Sequence, residues 1–250
     1  MQGYIAGVLL NSGTLWPRNT CLGIFFSGCD FKCHACIKPT ILDFKEEFLI
    51  DIKDIKEAIK LNAHISNAVL FTGAEPSLQR DVLLELARYS KSFSLKTGIE
   101  TNGSKPLVLR QLIRHELINF ICMEFKAPLE SDIFEKVTRS KTFFVDTDEI
   151  LMNLRRTLTL LKNNNDKIQL QFKTTIVPGL LYRKEDILKI AKIIRHFNCA
   201  WKLEQFNPSM PALNPNLKHI NPVSPQFMEN LKEACIGQYP NLRIEIVSYN

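Results

Sequence analysis

Short apolar runs alternate with amphipathic segments along most of this 250-residue chain. The runs have the length and composition of buried strands and lie at 22–26, 68–71, 94–100, 120–125, 168–177, 201–206 and 242–247. Helical spacing of apolar residues follows most of them, over 51–59, 78–89, 106–115, 150–162, 185–197 and 224–239. This alternation favours βα units around a parallel sheet. About six units can be counted, fewer than the eight of a closed barrel, which predicts an α/β fold with a partial, open (β/α)6 barrel; a flat doubly wound sheet is the alternative.

The chain has no internal repeat, low-complexity tract or Gly/Ser linker, which predicts one domain over 1–250. Its core would span about 20–208, with a C-terminal helix and strand over about 209–250. The 32 Lys and Arg residues are scattered among 26 acidic residues, so the net charge of +6 gives no reason to expect a nucleic-acid partner. Without a signal core or membrane-length apolar run, we expect a cytoplasmic protein that uses its seven cysteines as thiols.

Three cysteines follow the first of these strands at the spacing C-x3-C-x2-C, namely Cys29, Cys33 and Cys36. A cubane [4Fe–4S] cluster normally takes four cysteines, so three would leave one iron open to bind a reactant. A structural zinc site, the alternative, usually needs a fourth ligand, and both His34 and Cys21 are awkwardly placed to provide one. The other cysteines lie in apolar patterns typical of core residues.

A second motif, Thr72-Gly73-Ala74-Glu75-Pro76, follows the next strand. Small residues let backbone groups approach a ligand closely, and the Glu75 carboxylate could accept a hydrogen bond from an ammonium group. Functional groups gather at the carboxyl ends of parallel strands, so we expect this motif and the cysteines to serve one site.

Cysteines at this spacing, followed by Thr-Gly-x-Glu-Pro after the next strand, resemble the radical S-adenosylmethionine enzymes over about 25–208. The resemblance implies that the open iron of a [4Fe–4S] cluster chelates the amino and carboxylate groups of S-adenosylmethionine. It also implies that an electron, from a donor such as flavodoxin or ferredoxin, cleaves the sulfonium C–S bond. The resulting 5′-deoxyadenosyl radical would abstract hydrogen from a substrate.

Site residues follow from the same resemblance. The implied catalytic residues are Cys29, Cys33 and Cys36, which would ligate the metal, and Lys126. The implied cofactor-binding residues are Ala35, Thr72, Gly73, Ala74, Glu75, Glu100, Thr101, Asn102, Glu124, Lys126, Lys173 and Asn207. Four of them differ from the residues that are commoner in the family. The family more often has a second glycine where this chain has Ala74, an aromatic residue where it has Ala35, and aspartate where it has Glu100 and Glu124.

Within the superfamily, three segments resemble the anaerobic ribonucleoside-triphosphate reductase activating proteins, at 101–106, 125–128 and 203–208. That subgroup implies hydrogen abstraction from a glycine of a partner glycyl-radical enzyme. One alternative is a small-molecule enzyme similar to 7-carboxy-7-deazaguanine synthase, although Lys38-Pro39 stands where that family tends to place a magnesium ligand. A non-enzymatic iron–sulfur protein would leave the motifs around Glu75 and Glu124 unexplained.

Overall fold

The computed structural model describes residues 1–12 and 16–249. Its strands are β1 Gln2–Ser12, β2 Thr20–Phe26, β3 Leu49–Asp51, β4 Ala68–Gly73, β5 Lys96–Thr101, β6 Phe120–Glu124, β7 Gln169–Ile176, β8 Ala200–Gln205 and β9 Arg243–Val247. Its α-helices are α1 Ile52–Asn62, α2 Arg80–Ser92, α3 Pro106–Arg114, α4 Ser131–Thr138, α5 Thr147–Lys162, α6 Lys184–Ile194 and α7 Pro225–Gln238. Within this part of the chain no helix is both long enough and apolar enough to cross a membrane.

The strands follow the order β3-β1-β2-β4-β5-β6-β7-β8-β9. Strands β2, β4 and β5 pair in parallel, as do β7, β8 and β9, whereas β1 is antiparallel to both β2 and β3. The order has two free ends, β3 and β9, so the sheet is open. The expectation of an open α/β sheet is confirmed, and the antiparallel strands β1 and β3 add to it.

The described residues divide into two compact units, of which the first comprises 1–30, 40–122 and 167–169. Its buried centre includes Trp16, whose ring stacks on Phe120 with centroids 4.8 Å apart. The indole Nε1 of Trp16 donates to Gln169 Oε1 at 3.2 Å, which satisfies the polar atom of this buried ring. Cys21 and Cys122 lie in the same cluster and are fully buried, as the apolar patterns around them predict.

The second unit comprises 31–39, 123–166 and 170–250. Trp201 on β8 is buried, and its Nε1 donates to Thr174 Oγ1 on β7 at 3.0 Å. Helix α7 is capped by Ser224, whose Oγ accepts from the backbone N–H of Phe227 at 3.1 Å, and Pro225 occupies the first turn. A single domain over 1–250, with a core of about 20–208, stays a prediction.

Candidate active site

The end of β4 lies close against the end of β2. Gly73 adopts φ +111°, a conformation that favours glycine, and a Cβ there would lie 2.3 Å from the carbonyl oxygen of Phe26. The next residue, Ala74, donates its backbone N–H to that same oxygen at 2.8 Å. The strand end can therefore hold this position only with glycine at residue 73.

Glu75 is completely buried, and protein donors surround its carboxylate. Oε1 accepts from the backbone N–H of Ser77 at 3.1 Å, from its hydroxyl at 2.5 Å and from Thr101 Oγ1 at 2.8 Å. Oε2 accepts from the backbone N–H of Asn102 at 2.6 Å. Burial, with the negative charge of Asp30 adding to it, raises the pKa of Glu75 to about 7. This carboxylate fastens the turn after β4 to the end of β5.

A second connection joins these two strand ends, because Thr72 Oγ1 donates to Glu100 Oε2 at 2.5 Å. The predicted binding residues Thr72, Glu75, Glu100 and Asn102 are thus brought together by hydrogen bonds within the first unit. Their spacing alone predicts a common strand edge, but it does not predict that the carboxylates turn towards protein donors.

Asp30, directly after Cys29, is held by the turn that follows β5. Its Oδ1 accepts from Asn102 Nδ2 at 2.8 Å, and its Oδ2 accepts from Ser104 Oγ at 2.6 Å. Lys105 Nζ lies 3.0 Å from the same Oδ2. We refer to Asp30, Asn102, Ser104 and Lys105 as the Asp30 clamp. Sequence reasoning missed it, because more than seventy residues separate Asp30 from its partners and no spacing rule connects them.

Cys29 is half-buried, and its backbone N–H donates to the carbonyl of Leu42 at 3.0 Å. Gly28 before it adopts φ +91°, and a Cβ at that position would lie 2.2 Å from the ring of Phe44. The first predicted ligand therefore sits in a tightly constrained stretch of the first unit.

Cys33 and Cys36 belong to the second unit and share one turn, in which the Cys36 N–H donates to the Cys33 carbonyl at 3.1 Å. The Cys36 carbonyl in turn accepts from the backbone N–H of Leu213 at 3.1 Å. Burial raises the pKa of Cys33 to about 12, an effect that the positive charge of Lys126 partly opposes. An anionic sulfur at this position therefore depends on nearby positive charge, part of which Lys126 supplies.

Lys126 lies 2.6 Å from the Glu124 carboxylate, and each side chain is about a quarter exposed, 24% and 25% respectively. Burial opposes the charged form of Lys126, but Glu124 and the nearby Cys33 outweigh that effect and raise the pKa of the ammonium group. The structure thus pairs the two residues predicted to face the cofactor and puts a fixed positive charge near Cys33 and Cys36.

The other predicted residues of the second unit contact their own surroundings. Ala35 packs against the buried cluster of Val177, Phe206 and Leu217. The Lys173 carbonyl on β7 accepts from the backbone N–H of Phe125 at 2.8 Å. The Asn207 side chain accepts from the N–H of Ser209 at 2.9 Å, so its amide shapes the turn after β8.

The donor chemistry of this chain suits a cubane iron–sulfur cluster. Cys29, Cys33 and Cys36 are reduced thiols, and Lys126 offsets negative charge on the latter two. No group of three or more Cys, His, Asp or Glu side chains in residues 1–12 and 16–249 is arranged to hold a metal ion by itself. The cluster assignment accordingly depends on thiol chemistry and sequence spacing.

The family described as the Radical SAM superfamily matches residues 24–194, more than half of the chain. The chain therefore belongs to the radical SAM superfamily, whose enzymes use an iron–sulfur cluster and S-adenosylmethionine. This agrees with the resemblance drawn from the cysteine and Thr-Gly-x-Glu-Pro motifs.

Among individual relatives, the chain is 27% identical to a Methanocaldococcus jannaschii protein provisionally named as a glycyl-radical enzyme activating enzyme, over 92% of this chain and 95% of that protein. It is 22% identical to the pyruvate formate-lyase-activating enzyme of Clostridium pasteurianum, over 72% of each chain. It is also 31% identical to a 7-carboxy-7-deazaguanine synthase of Methanospirillum hungatei, over 51% of this chain and 54% of that protein.

Solved structures show the same fold. QueE from Escherichia coli superposes with a TM-score of 0.59 at 14% identity, over 100% of this chain and 95% of that one. Streptococcus suis SuiB bound to S-adenosylmethionine superposes with a TM-score of 0.60 at 16% identity, over 88% of this chain. The match covers 48% of SuiB, so this chain spans about half the length of that protein.

Proposed function

We propose that this radical SAM enzyme activates a glycyl-radical enzyme by taking a hydrogen atom from a glycine of that partner. The observation that carries the proposal is the similarity to a protein named as a glycyl-radical enzyme activating enzyme, which extends over 92% of this chain. The similarity to the pyruvate formate-lyase-activating enzyme of Clostridium pasteurianum supports the same substrate class.

In this proposal Cys29, Cys33 and Cys36 hold a [4Fe–4S] cluster with one open iron. A cluster held by these cysteines, once reduced by one electron from a donor, would supply that electron for cleavage of S-adenosylmethionine to methionine and a 5′-deoxyadenosyl radical. Lys126, paired with Glu124, keeps a positive charge near Cys33 and Cys36, and this charge favours the thiolate form of Cys33.

The ends of β4 and β5 orient S-adenosylmethionine in this proposal. The four donors around the Glu75 carboxylate leave it little capacity for a ligand, so Glu75 acts as a positioning residue. The backbone groups of Thr72, Gly73 and Ala74 then face the methionyl amino group, while Glu100 and Thr101 approach the carboxylate and ribose. Ala35, Lys173 and Asn207 serve the adenine side.

A second candidate is a small-molecule radical SAM enzyme. The 31% identity to a 7-carboxy-7-deazaguanine synthase favours it, but this similarity extends over only 51% of the chain. Glycyl-radical activation has support over nearly the whole chain and is therefore the preferred function.

The test is to mix the anaerobically reconstituted, reduced protein and S-adenosylmethionine with a candidate glycyl-radical enzyme. We expect the doublet of a glycyl radical in the electron paramagnetic resonance spectrum, with Cys33→Ala as the inactive control and Cys199→Ala as the matched active one. Cleavage of S-adenosylmethionine without any glycyl signal, together with turnover of a small purine-like substrate, would transfer the assignment to the second candidate.

A further inference from the structure

Two phenylalanines between α4 and α5 project almost entirely into solvent. Phe143 is 96% exposed and Phe144 is 88% exposed, and their rings meet edge to face with centroids 5.1 Å apart. Leaving two adjacent large apolar side chains in water forgoes the favourable burial that such side chains normally find. Exposed apolar patches of this kind mark interaction sites. We call this pair the aromatic tip.

The aromatic tip stands on an ordered turn. The Thr142 N–H donates to the Val145 carbonyl at 3.0 Å, and Thr142 Oγ1 accepts from the N–H groups of Phe144 and Val145 at 3.3 and 3.1 Å. The base of the turn is fixed by the Glu135 carboxylate, which accepts from the N–H groups of Ser140 and Lys141 and from the hydroxyls of Ser140 and Thr147. A preorganised tip loses little conformational entropy when it binds.

This region is joined to the segment that carries Cys33 and Cys36. The backbone N–H of Lys32 donates to the Thr138 carbonyl at 2.9 Å, and that of His34 donates to the Val137 carbonyl at 3.3 Å. The side chains meet as well, since Phe31 packs edge to face on Phe134 with centroids 5.7 Å apart. A molecule held by the aromatic tip would therefore sit beside the cysteine segment.

All the Lys, Arg, Asp and Glu residues within the cysteine segment and the segment of the aromatic tip are positively charged. Residues 31–39 and 136–145 contain no Asp or Glu, but they carry Lys32, Lys38, Lys136, Arg139 and Lys141. Asp30, Glu135 and Asp146 border these segments, so the net excess over 30–39 and 135–146 is two positive charges. Asp146 pairs with Lys141 at 3.8 Å. Such an excess steers acidic partners towards the surface and speeds their association.

We propose that the aromatic tip and the cations around it form the docking surface for a small acidic one-electron carrier protein. The inference rests on the proposed function, because reductive cleavage of S-adenosylmethionine consumes one electron that a donor has to supply. The carrier is oxidised by one electron for each S-adenosylmethionine whose C–S bond breaks, and the products after hydrogen transfer are methionine and 5′-deoxyadenosine.

The size of the surface fits this occupant. Two phenylalanines bury about 150–250 Å² each, so the apolar contact covers only a few hundred Å². Interfaces at this low end suit transient electron-transfer encounters and are smaller than a stable dimer needs. A surface joined to the segment of Cys33 and Cys36 suits a carrier that has to pass an electron to the group those cysteines would hold.

The experiment compares two reductants on one variant. In Phe143→Ser/Phe144→Ser, the rate of 5′-deoxyadenosine formation should fall about tenfold with a subsaturating reduced flavodoxin or two-iron ferredoxin, as expected for loss of about 1.4 kcal/mol of binding. The rate with dithionite, which needs no docking surface, should stay unchanged. Leu107→Ser, which alters a 63% exposed side chain on α3, is the matched control and should change neither rate.

Direct binding of the oxidised carrier, measured by calorimetry, supplies a readout that needs no catalysis. We expect weaker binding by the double variant at every salt concentration, and weaker binding by Arg139→Glu that is most pronounced at low salt. Unchanged carrier binding would overturn the docking surface even if dithionite drives normal cleavage. Failure of dithionite-driven cleavage in the unaltered protein, with normal carrier binding, would instead refute the proposed function.

Two other outcomes would reassign the aromatic tip. If Phe143→Ser/Phe144→Ser lost binding to phosphatidylserine vesicles but still bound the carrier, the aromatic tip would be a lipid contact. If the same double variant failed to form the glycyl radical with dithionite but still bound the carrier, the aromatic tip would be a contact for the glycyl-radical partner. Either result contradicts the carrier proposal.

Discussion

At Gly73 the backbone of β4 passes too close to β2 for any side chain. A Cβ would lie 2.3 and 2.5 Å from the Phe26 backbone oxygen and nitrogen, which belong to the neighbouring strand and cannot rotate away. The φ of +111° adds strain for any residue that has a Cβ. Gly179 offers a matched comparison, because its φ is +78° but nothing lies within 4 Å of a Cβ there.

Gly73→Ala should therefore destabilise the protein more than Gly179→Ala. We expect a loss of about 3 kcal/mol or more for Gly73→Ala, since strain and a backbone clash combine, and about 1 kcal/mol for Gly179→Ala, which adds backbone strain alone. Urea denaturation of the cofactor-free protein measures both changes in unfolding free energy. Equal losses for the two variants would contradict the close approach of β4 to β2.

The sequence predicts residue types at the site better than it predicts what their side chains contact. A glycine in the Thr72–Pro76 motif is predicted from the need for close backbone approach, and the structure gives the reason in the Phe26 backbone. Glu75 is different, because a carboxylate after a strand suggests a ligand contact, whereas this one is buried among four donors. Its burial arises from the end of β5, which no local pattern reveals.

At the scale of elements, the Asp30 clamp holds the beginning of the cysteine segment to the turn between β5 and α3. Asp30 is 21% exposed and accepts from an amide, a hydroxyl and an ammonium group. Removing the carboxylate would leave these donors without their acceptor in a half-buried position, which costs free energy.

Asp30→Ala should lower the free energy of unfolding by about 2–3 kcal/mol, and Asp30→Asn by less, because an amide oxygen still accepts. Asp81→Ala is the control, since Asp81 is 72% exposed in its ion pair with Arg80 and should change stability by about 0.5 kcal/mol at most. Thermal or urea unfolding of the cofactor-free protein distinguishes them. Equal stabilities for Asp30→Ala and Asp81→Ala would show that the clamp contributes nothing.

Elements with strong periodicity are predicted closely, and short or edge elements are not. The apolar spacing predicts α3 over 106–115, and the helix spans Pro106–Arg114. It predicts α5 over 150–162, and that helix begins three residues earlier at Thr147. Strand β3 is three residues long and α4 only eight, too short for a reliable pattern. Strand β1 pairs antiparallel at the margin of the sheet, which the βα alternation gives no reason to expect.

For the whole molecule, membership in the radical SAM superfamily accounts for the order of the motifs along the chain. The first cysteine of the motif follows β2, the turn at Gly73 ends β4, and the residues Glu100–Asn102 lie at the end of β5. The second unit adds Cys33, Cys36 and the Glu124–Lys126 pair. The central claim is that Cys29, Cys33 and Cys36 hold the cluster that cleaves S-adenosylmethionine.

The most direct test of that claim is the yield of 5′-deoxyadenosine from anaerobically reconstituted protein with dithionite and S-adenosylmethionine. Unaltered protein and Cys199→Ala, which changes a buried cysteine outside the motif, should bind iron and sulfide and form the product. Cys33→Ala should form no more product than protein without iron. Equal product from Cys33→Ala and the unaltered protein would contradict the account.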